Sequence, residues 1–283
     1  MAFHNINRLL LLSQTLFTLP FAYIGILLAG KGTLLQWVFV TIALISARTI
    51  GMAYNRLIDA QIDAANPRTK DREIPSGRLT KQSVILLIIV SSVFFSFSAY
   101  KLNMLCFYLS FAANGLLFAY SYFKRFSSSA HFFLGFTEAA APIGGYLAIS
   151  GEFHILAFVP GIAIMFWIAG LDILYAFQDI DFDKKSGLHS IPAKLGTKAA
   201  RIISIGSYTI AVAAMVMMGL HIKAHIVYYS AILLICIIMA AQQIMFNKNR
   251  KNAEAVMPRI FNINKFISFI LFTGLLLHQL LMQ

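Results

Sequence analysis

The chain is expected to fold as an all-α, polytopic membrane protein: a single nine-transmembrane-helix bundle spanning residues 1–283. Three observations lead there. Of the 283 residues, 59% are hydrophobic and only 12% are charged, whereas a soluble domain has roughly 45–50% and about 25%. Apolar runs of about 20 residues recur along the chain, each long enough to cross ~30 Å of hydrocarbon at ~1.5 Å per residue. The Lys and Arg residues fall almost entirely in alternate connections between these runs.

The first run, about 13–30, follows Arg8. It exceeds the ~7–15-residue apolar core of a secretory leader, and Lys31-Gly32 is a poor cleavage context, so it reads as a retained first span. The second, about 34–58, carries Arg48 and Arg56 toward its inner end. Four more follow at 82–100, 103–121, 131–149 and 155–178, then three at 201–219, 224–246 and 261–281. Pro20, Pro142 and Pro160 lie inside spans, where neighbouring helices in a bundle re-satisfy the freed backbone groups. Cys106 and Cys236 both sit in apolar stretches, so no disulfide framework or thiolate metal site is expected.

Nine crossings put the termini on opposite sides, which makes the basic residues a test of the count. Eighteen fall on one side, among them Arg8, Arg68, Lys70, Arg72, Lys124, Arg125, Lys184, Lys194, Arg250 and Lys251; Lys31, Lys101 and Lys223 fall on the other. Because Lys and Arg accumulate on the cytoplasmic side, the N-terminus and its loops are placed in the cytoplasm and the C-terminus outside, as in a bacterial inner membrane. The net charge of +12 is thereby read as topology, and no nucleic-acid partner is expected.

Eight of the 11 acids belong to two long cytoplasmic segments, about 55–81 and 172–200. In the first, Asn55, Asp59 and Asp63 are spaced by four, so a helix aligns them on one stripe. In the second, Asp172, Tyr175, Asp179 and Asp183 align if the helix persists, while Asp181 falls off the stripe. Clustered carboxylates near a bilayer are costly, which makes them functional candidates, with pairing to Arg56, Arg68 or Lys184 the structural alternative. Hard oxygen ligands without Cys or a His pair suit Mg²⁺, which bridges one or two carboxylates to substrate phosphates. Two such DxxxD pairs facing one another fit a diphosphate held through metal ions. Arg68, Lys70, Arg72, Lys124, Arg125, Lys184 and Lys194 collectively supply the positive surroundings a polyanion needs, and His189 lies in the second loop. Tyr54, Tyr120 and Tyr175 are candidates for stabilising a cation by their ring faces. A carboxylate-lined ion transporter and a non-catalytic prenyl-lipid binding protein stand as alternatives. The first expects its acids near the bilayer midplane among broken helices, and the second leaves the disposed carboxylates unexplained.

Over "ARTIGMAYNRLIDAQIDAANPRTKDREIPSG" (47–77), "DILYAFQDIDFDKKSGLHSIPAKLG" (172–196) and "LFTLPFAYIG" in the first span, the chain resembles the UbiA superfamily of intramembrane aromatic prenyltransferases. It is most similar to the 4-hydroxybenzoate polyprenyltransferase branch, which includes relatives that prenylate a dihydroxynaphthoate. The resemblance implies a bundle with a central cavity. Asn55, Asp59 and Asp63, together with Asp179 and Asp183, hold Mg²⁺ on a polyprenyl diphosphate, and Asp172 and Tyr175 support the second site. It also implies phosphate contacts from Arg68 and Lys124, with Arg72 and Lys184 beside them, and an aromatic acid acceptor whose carboxylate meets Arg48. The implied reaction is ionisation of the diphosphate followed by electrophilic attack on the ring, as a step in quinone biosynthesis.

Overall fold

A computed structural model describes residue 9, residues 12–249 and residues 252–282; Arg8, Arg250 and Lys251, three of the basic residues counted above, lie outside these. All the regular secondary structure of the described residues is helical. The long helices are α1 (Leu12–Ala29), α2 (Leu34–Ile58), α4 (Lys81–Leu102), α5 (Met104–Phe123), α6 (Ala130–Ser150), α7 (Ile155–Tyr175), α9 (Ile191–His221), α10 (Ile226–Asn249) and α11 (Ala253–Leu281). Two short helices, α3 (Ala60–Ala65) and α8 (Ile180–Lys185), sit in the acidic segments. Among the described residues eight helices are long and apolar enough to cross a bilayer, and α1, 18 residues long, is apolar over its shorter stretch Phe17–Ala29. The protein is an integral membrane protein, and these nine long helices correspond to the nine expected spans.

Helix ends leave backbone amides without intrahelical partners, and polar residues at the turns supply them. Thr33 accepts from the Gln36 amide at the start of α2 in a capping box, and Thr80 caps α4 through Ser83. Asn103 closes the α4–α5 turn: its Oδ1 accepts from the Cys106 amide at 2.8 Å, and its Nδ2 donates to the Leu147 carbonyl of α6 at 2.8 Å. One residue thus starts a helix and fixes that end of the bundle against its neighbour.

Lipid tails are as apolar as leucine, so helices in a membrane associate through close packing of small residues and through interhelical hydrogen bonds. Both devices are present. A Cβ added at Gly145 of α6 would stand 2.0 Å from the Ala22 carbonyl of α1, and one at Gly135 would stand 2.1 Å from the Met165 carbonyl of α7. These backbones touch because nothing larger than hydrogen intervenes. On the other side of the bundle, Asn264 of α11 accepts from Trp167 Nε1 of α7 at 2.9 Å and from Gln242 Nε2 of α10 at 3.3 Å. Gln242 in turn accepts from the Tyr208 hydroxyl of α9 at 3.1 Å, so one buried network ties four helices. Gly145→Ala should therefore lower stability by about 1–3 kcal/mol through overpacking, read as an earlier thermal transition in detergent. Gly144→Ala, whose Cβ meets nothing within 4 Å, should not, and equal melting of the two variants would contradict the close-packing account.

Helix bounds agree with the apolar runs except where polar residues prolong a helix beyond the bilayer. α9 begins at Ile191 rather than near 201, because Pro192 is pre-set for a first helical turn. Gly196, at φ +80, then bends the chain into the span. α11 begins at Ala253 rather than near 261. The helix after Asp172 does not persist in one form: α7 ends at Tyr175, Ala176–Asp179 is a 3₁₀ turn, and α8 follows.

Candidate active site

The first acidic stripe survives a bend. α2 ends at Ile58, yet the amide of Asp59 still donates to Asn55 O (3.0 Å) and that of Asp63 to Asp59 O (2.8 Å). The four-residue repeat therefore passes through the break, and Asp59 and Asp63 are both buried. Asp59 accepts from Asn55 Nδ2 at 3.0 Å and is ion-paired to Lys124 at 2.7 Å and Arg125 at 3.2 Å, both in the α5–α6 connection. Asp63 accepts both 2.7 and 2.9 Å bonds from one nitrogen of Arg72.

The 3₁₀ turn presents Asp179 to the first segment. Arg68 forks onto it, Nε at 2.9 Å and NH2 at 2.5 Å, and its third nitrogen donates to the Tyr175 hydroxyl at 2.9 Å. Asn66 adds a 3.0 Å bond to Asp179 from Nδ2, while its Oδ1 accepts the Arg68 amide at 2.9 Å. Bidentate Arg–carboxylate pairs are among the stronger and more directional polar contacts. Burial alone would favour a neutral guanidinium, but the bonds to Asp179 and Tyr175 outweigh it and raise the Arg68 pKa above its ordinary value. The two segments are thus clamped together through Arg68.

Asp183 lies within electrostatic reach of Asp179 and Lys124 and also closes the loop that follows it. Its carboxylate accepts from the Ser190 hydroxyl at 2.6 Å and its carbonyl from the Leu188 amide at 2.8 Å, closing the loop into α9. His189 fastens that loop to the α5–α6 connection, its amide donating to Lys124 O at 2.8 Å and its Nδ1 to Arg125 O at 3.2 Å. It orders the chain that carries two of Asp59's cations. Lys184 is exposed and makes no ion pair among the described residues, and Asp181 is exposed too. Tyr54 bonds to Asn114 at 3.2 Å and packs on Phe118, between α2 and α5.

These groups stand at one end of a cavity of about 820 Å³. Asn55, Arg56, Asp172, Tyr175 and Gln178 line that end, while Leu102, Cys106, Leu147 and Phe153 line the cavity near the opposite ends of the spans. Tyr120 and Phe261 face it between. Arg56 is buried there with its Nε unpartnered among the described residues and one nitrogen 3.4 Å from Asn55 Oδ1.

Two participants went unread in the sequence besides Asn66. His131 of α6 bonds through Nδ1 to Asp172 at 2.7 Å, and the Ile191 amide donates to its Nε2 at 3.2 Å. An acceptor nitrogen carries no proton, so this is a neutral imidazole donating to Asp172. Glu138 of α6 pairs with Arg48 inside the cavity. An acid amid an apolar span was itself a signal for Glu138; no spacing links His131 to Asp172.

The oxygen-rich acids fit a magnesium ion of a particular kind. Among the described residues no three of His, Cys, Asp and Glu stand close enough to hold one ion, so there is no closed protein cage. Mg²⁺ rarely needs one, since it keeps waters and takes one or two carboxylates plus substrate phosphates. Asp59 and Asp63 of the first segment and Asp179 and Asp183 of the second, beside Asn55, are oxygen donors of that kind.

A cavity in a bundle of membrane helices, with two joined acidic segments at one end, is the setting of a membrane-embedded site for an anionic, largely apolar ligand. The chain belongs to the UbiA prenyltransferase family, which it matches over residues 18–270. It is 28% identical to a 4-hydroxybenzoate octaprenyltransferase of Vibrio parahaemolyticus, over 96% of this chain and 92% of that one. Its fold is similar to an apo UbiA homolog from Aeropyrum pernix K1, with TM-score 0.85, 30% identity, and coverage of 93% and 97%. A UbiA homolog from Archaeoglobus fulgidus bound to DMAPP and Mg²⁺ shares the fold at TM-score 0.71 and 19% identity, over 96% and 99%.

Proposed function

We propose that the protein transfers a polyprenyl group from polyprenyl diphosphate to an aromatic acid, 4-hydroxybenzoate or a dihydroxynaphthoate, in quinone biosynthesis. One observation carries this reading: Arg68 joins the two acidic segments at the mouth of a cavity whose far walls are apolar. A diphosphate suits the mouth and an isoprenoid the walls.

The charges explain why a divalent ion belongs to the reading. In the ligand-free protein the acids are already balanced by Arg68, Arg72, Lys124 and Arg125. A diphosphate brings several further negative charges, and unpaired buried charge is expensive. Asp59, Asp63, Asp179 and Asp183 would hold Mg²⁺, which when bound would supply positive charge to the departing diphosphate. Arg68, Arg72 and Lys124 are the bases placed to donate to phosphate oxygens, with Arg56 buried at the same end of the cavity. Tyr120, Tyr175 and Phe261 present ring faces to the allylic cation that forms, worth about 0.5–2 kcal/mol each, and the apolar walls keep water from it. The ring acceptor meets that cation from the Arg48 side. Asp172, oriented by His131, is placed to take the ring proton.

The residues argue against ion transport, because each candidate acid is engaged by a base or a hydrogen-bond donor at a helix end. Product mass spectrometry tests the reading: purified protein offered both acceptors and mixed prenyl diphosphates should yield a prenylated ring acid. Ion flux in liposomes without any prenylated product would overturn it. The excess of basic residues on this side supports a cytoplasmic mouth. A cysteine at Thr69 of a cysteine-free protein, freed by denaturation where necessary, should label only in inside-out vesicles, and labelling from the external face would reverse that placement.

A further inference from the structure

Arg48 is already paired. It faces the cavity from α2, and Glu138 faces it from α6, so the guanidinium meant for an acceptor's carboxylate holds a carboxylate of the protein. The contact is single, through one terminal nitrogen, and Arg48 Nε is buried with no partner among the described residues. A planar fork with five donors is therefore only partly used.

We propose that Glu138 stands in for the acceptor's carboxylate, and that binding an aromatic acid displaces it from Arg48 with the uptake of one proton from water. This rests on the reading of the acceptor as an aromatic acid. The pair is neutral as it stands, so a second carboxylate at Arg48 leaves one negative charge uncompensated in a largely apolar cavity, a costly arrangement. Among the described residues lining the cavity, the cations besides Arg48 are Arg56 and Lys265. Tyr120 of α5 lies within electrostatic reach of Glu138, Arg48, Asp59 and Asp172 and brings only a hydroxyl. Asp172 of α7 is an acid held by the neutral His131. Arg56, a full two turns along α2 from Arg48, and Lys265 of α11, bonded to Asn262 at 3.1 Å, line the charged mouth. Protonation of the displaced Glu138 removes the excess charge, and the neutral acid keeps a donor for Tyr120 or the acceptor. Glu138 thereby sets which acceptors the cavity prefers: acids when protons are available, neutral rings otherwise.

The experiment is an internal competition between 4-hydroxybenzoate and its methyl ester for one prenyl diphosphate, from pH 6 to 8, in protein reconstituted in nanodiscs. Both acceptors share the donor, the metal and every enzyme ionisation unrelated to the carboxylate, so the product ratio isolates the step. In the wild type the acid-to-ester ratio should fall as pH rises, approaching tenfold per unit, the linkage slope for one proton. In Glu138→Gln the ratio should be flat and favour the acid by about tenfold or more at pH 8, the value of a charge-assisted contact no longer contested. A flat wild-type ratio overturns the proposal without recourse to any variant. So does a Glu138→Gln protein that binds the acid less well than wild type, which would make Glu138 a positioning residue for Arg48. Transfer to neither ring overturns the reading of the acceptor, and this inference with it.

Discussion

Asp179→Asn should cut prenyl transfer by about a thousandfold. Asp179 anchors the Arg68 fork that joins the acidic segments, and in the proposed reaction it would also offer oxygen to a metal-bound diphosphate. An amide keeps the shape but loses the charge, so Arg68 is left a buried cation without its counterion. Removing one preorganised electrostatic contact costs about 10²–10³ in rate, and disturbing the support of a metal ligand a further ~10–100; these overlap because Arg68 is shared. Asp181→Asn, two residues away and exposed, is the matched control and should retain full activity. The measurement is single-turnover product formation under saturating donor, with melting in detergent to show that both variants fold. Asp179→Asn at wild-type rate would remove this residue from the site.

Chelating divalent ions should have an effect at least as large, by about a thousandfold or more, since metal charge stabilisation is worth several kcal/mol. Added Mg²⁺ should restore the rate. The structure adds a second expectation that separates this protein from metal-dependent folds: EDTA should leave the melting temperature unchanged. Asp59, Asp63 and Asp179 are paired with Lys124, Arg125, Arg72 and Arg68, so on the proposed reading the substrate requires the metal and the fold does not. Full turnover in excess EDTA would contradict the mechanism. Unfolding in EDTA would contradict the ligand-free pairing.

What could be read from the sequence follows a physical divide between local and tertiary order. The spans were legible because burial in lipid demands about 20 apolar residues whatever the neighbours do, and the Asn55, Asp59, Asp63 stripe because a four-residue repeat needs only local hydrogen bonds, which run unbroken through the bend at Asp59. The second stripe was harder. Whether Asp179 stays on the face of Asp172 depends on the 3₁₀ turn at Ala176–Asp179, and the carboxylate there is held by Arg68 and Asn66 from a segment over a hundred residues earlier. Asp183 lies within electrostatic reach of Asp179, but its hydrogen bond to Ser190, made by the loop closing on itself, has no signature in the spacing. His131 owes its place to three elements meeting, α6, α7 and the start of α9. Lys184 has a suitable charge and a suitable loop, but points to solvent.

The claim on which the rest depends is that both acidic segments hold one diphosphate. It is tested by titrating a non-hydrolysable prenyl thiodiphosphate into the reconstituted protein with Mg²⁺, and repeating the titration with Asp59→Asn and Asp179→Asn. The account predicts saturable, Mg²⁺-dependent binding to the wild type, weakened at least about tenfold by either substitution, the loss of one charge-assisted contact. Binding unaffected by one of the two substitutions would show that a single segment carries the diphosphate and would contradict the clamp.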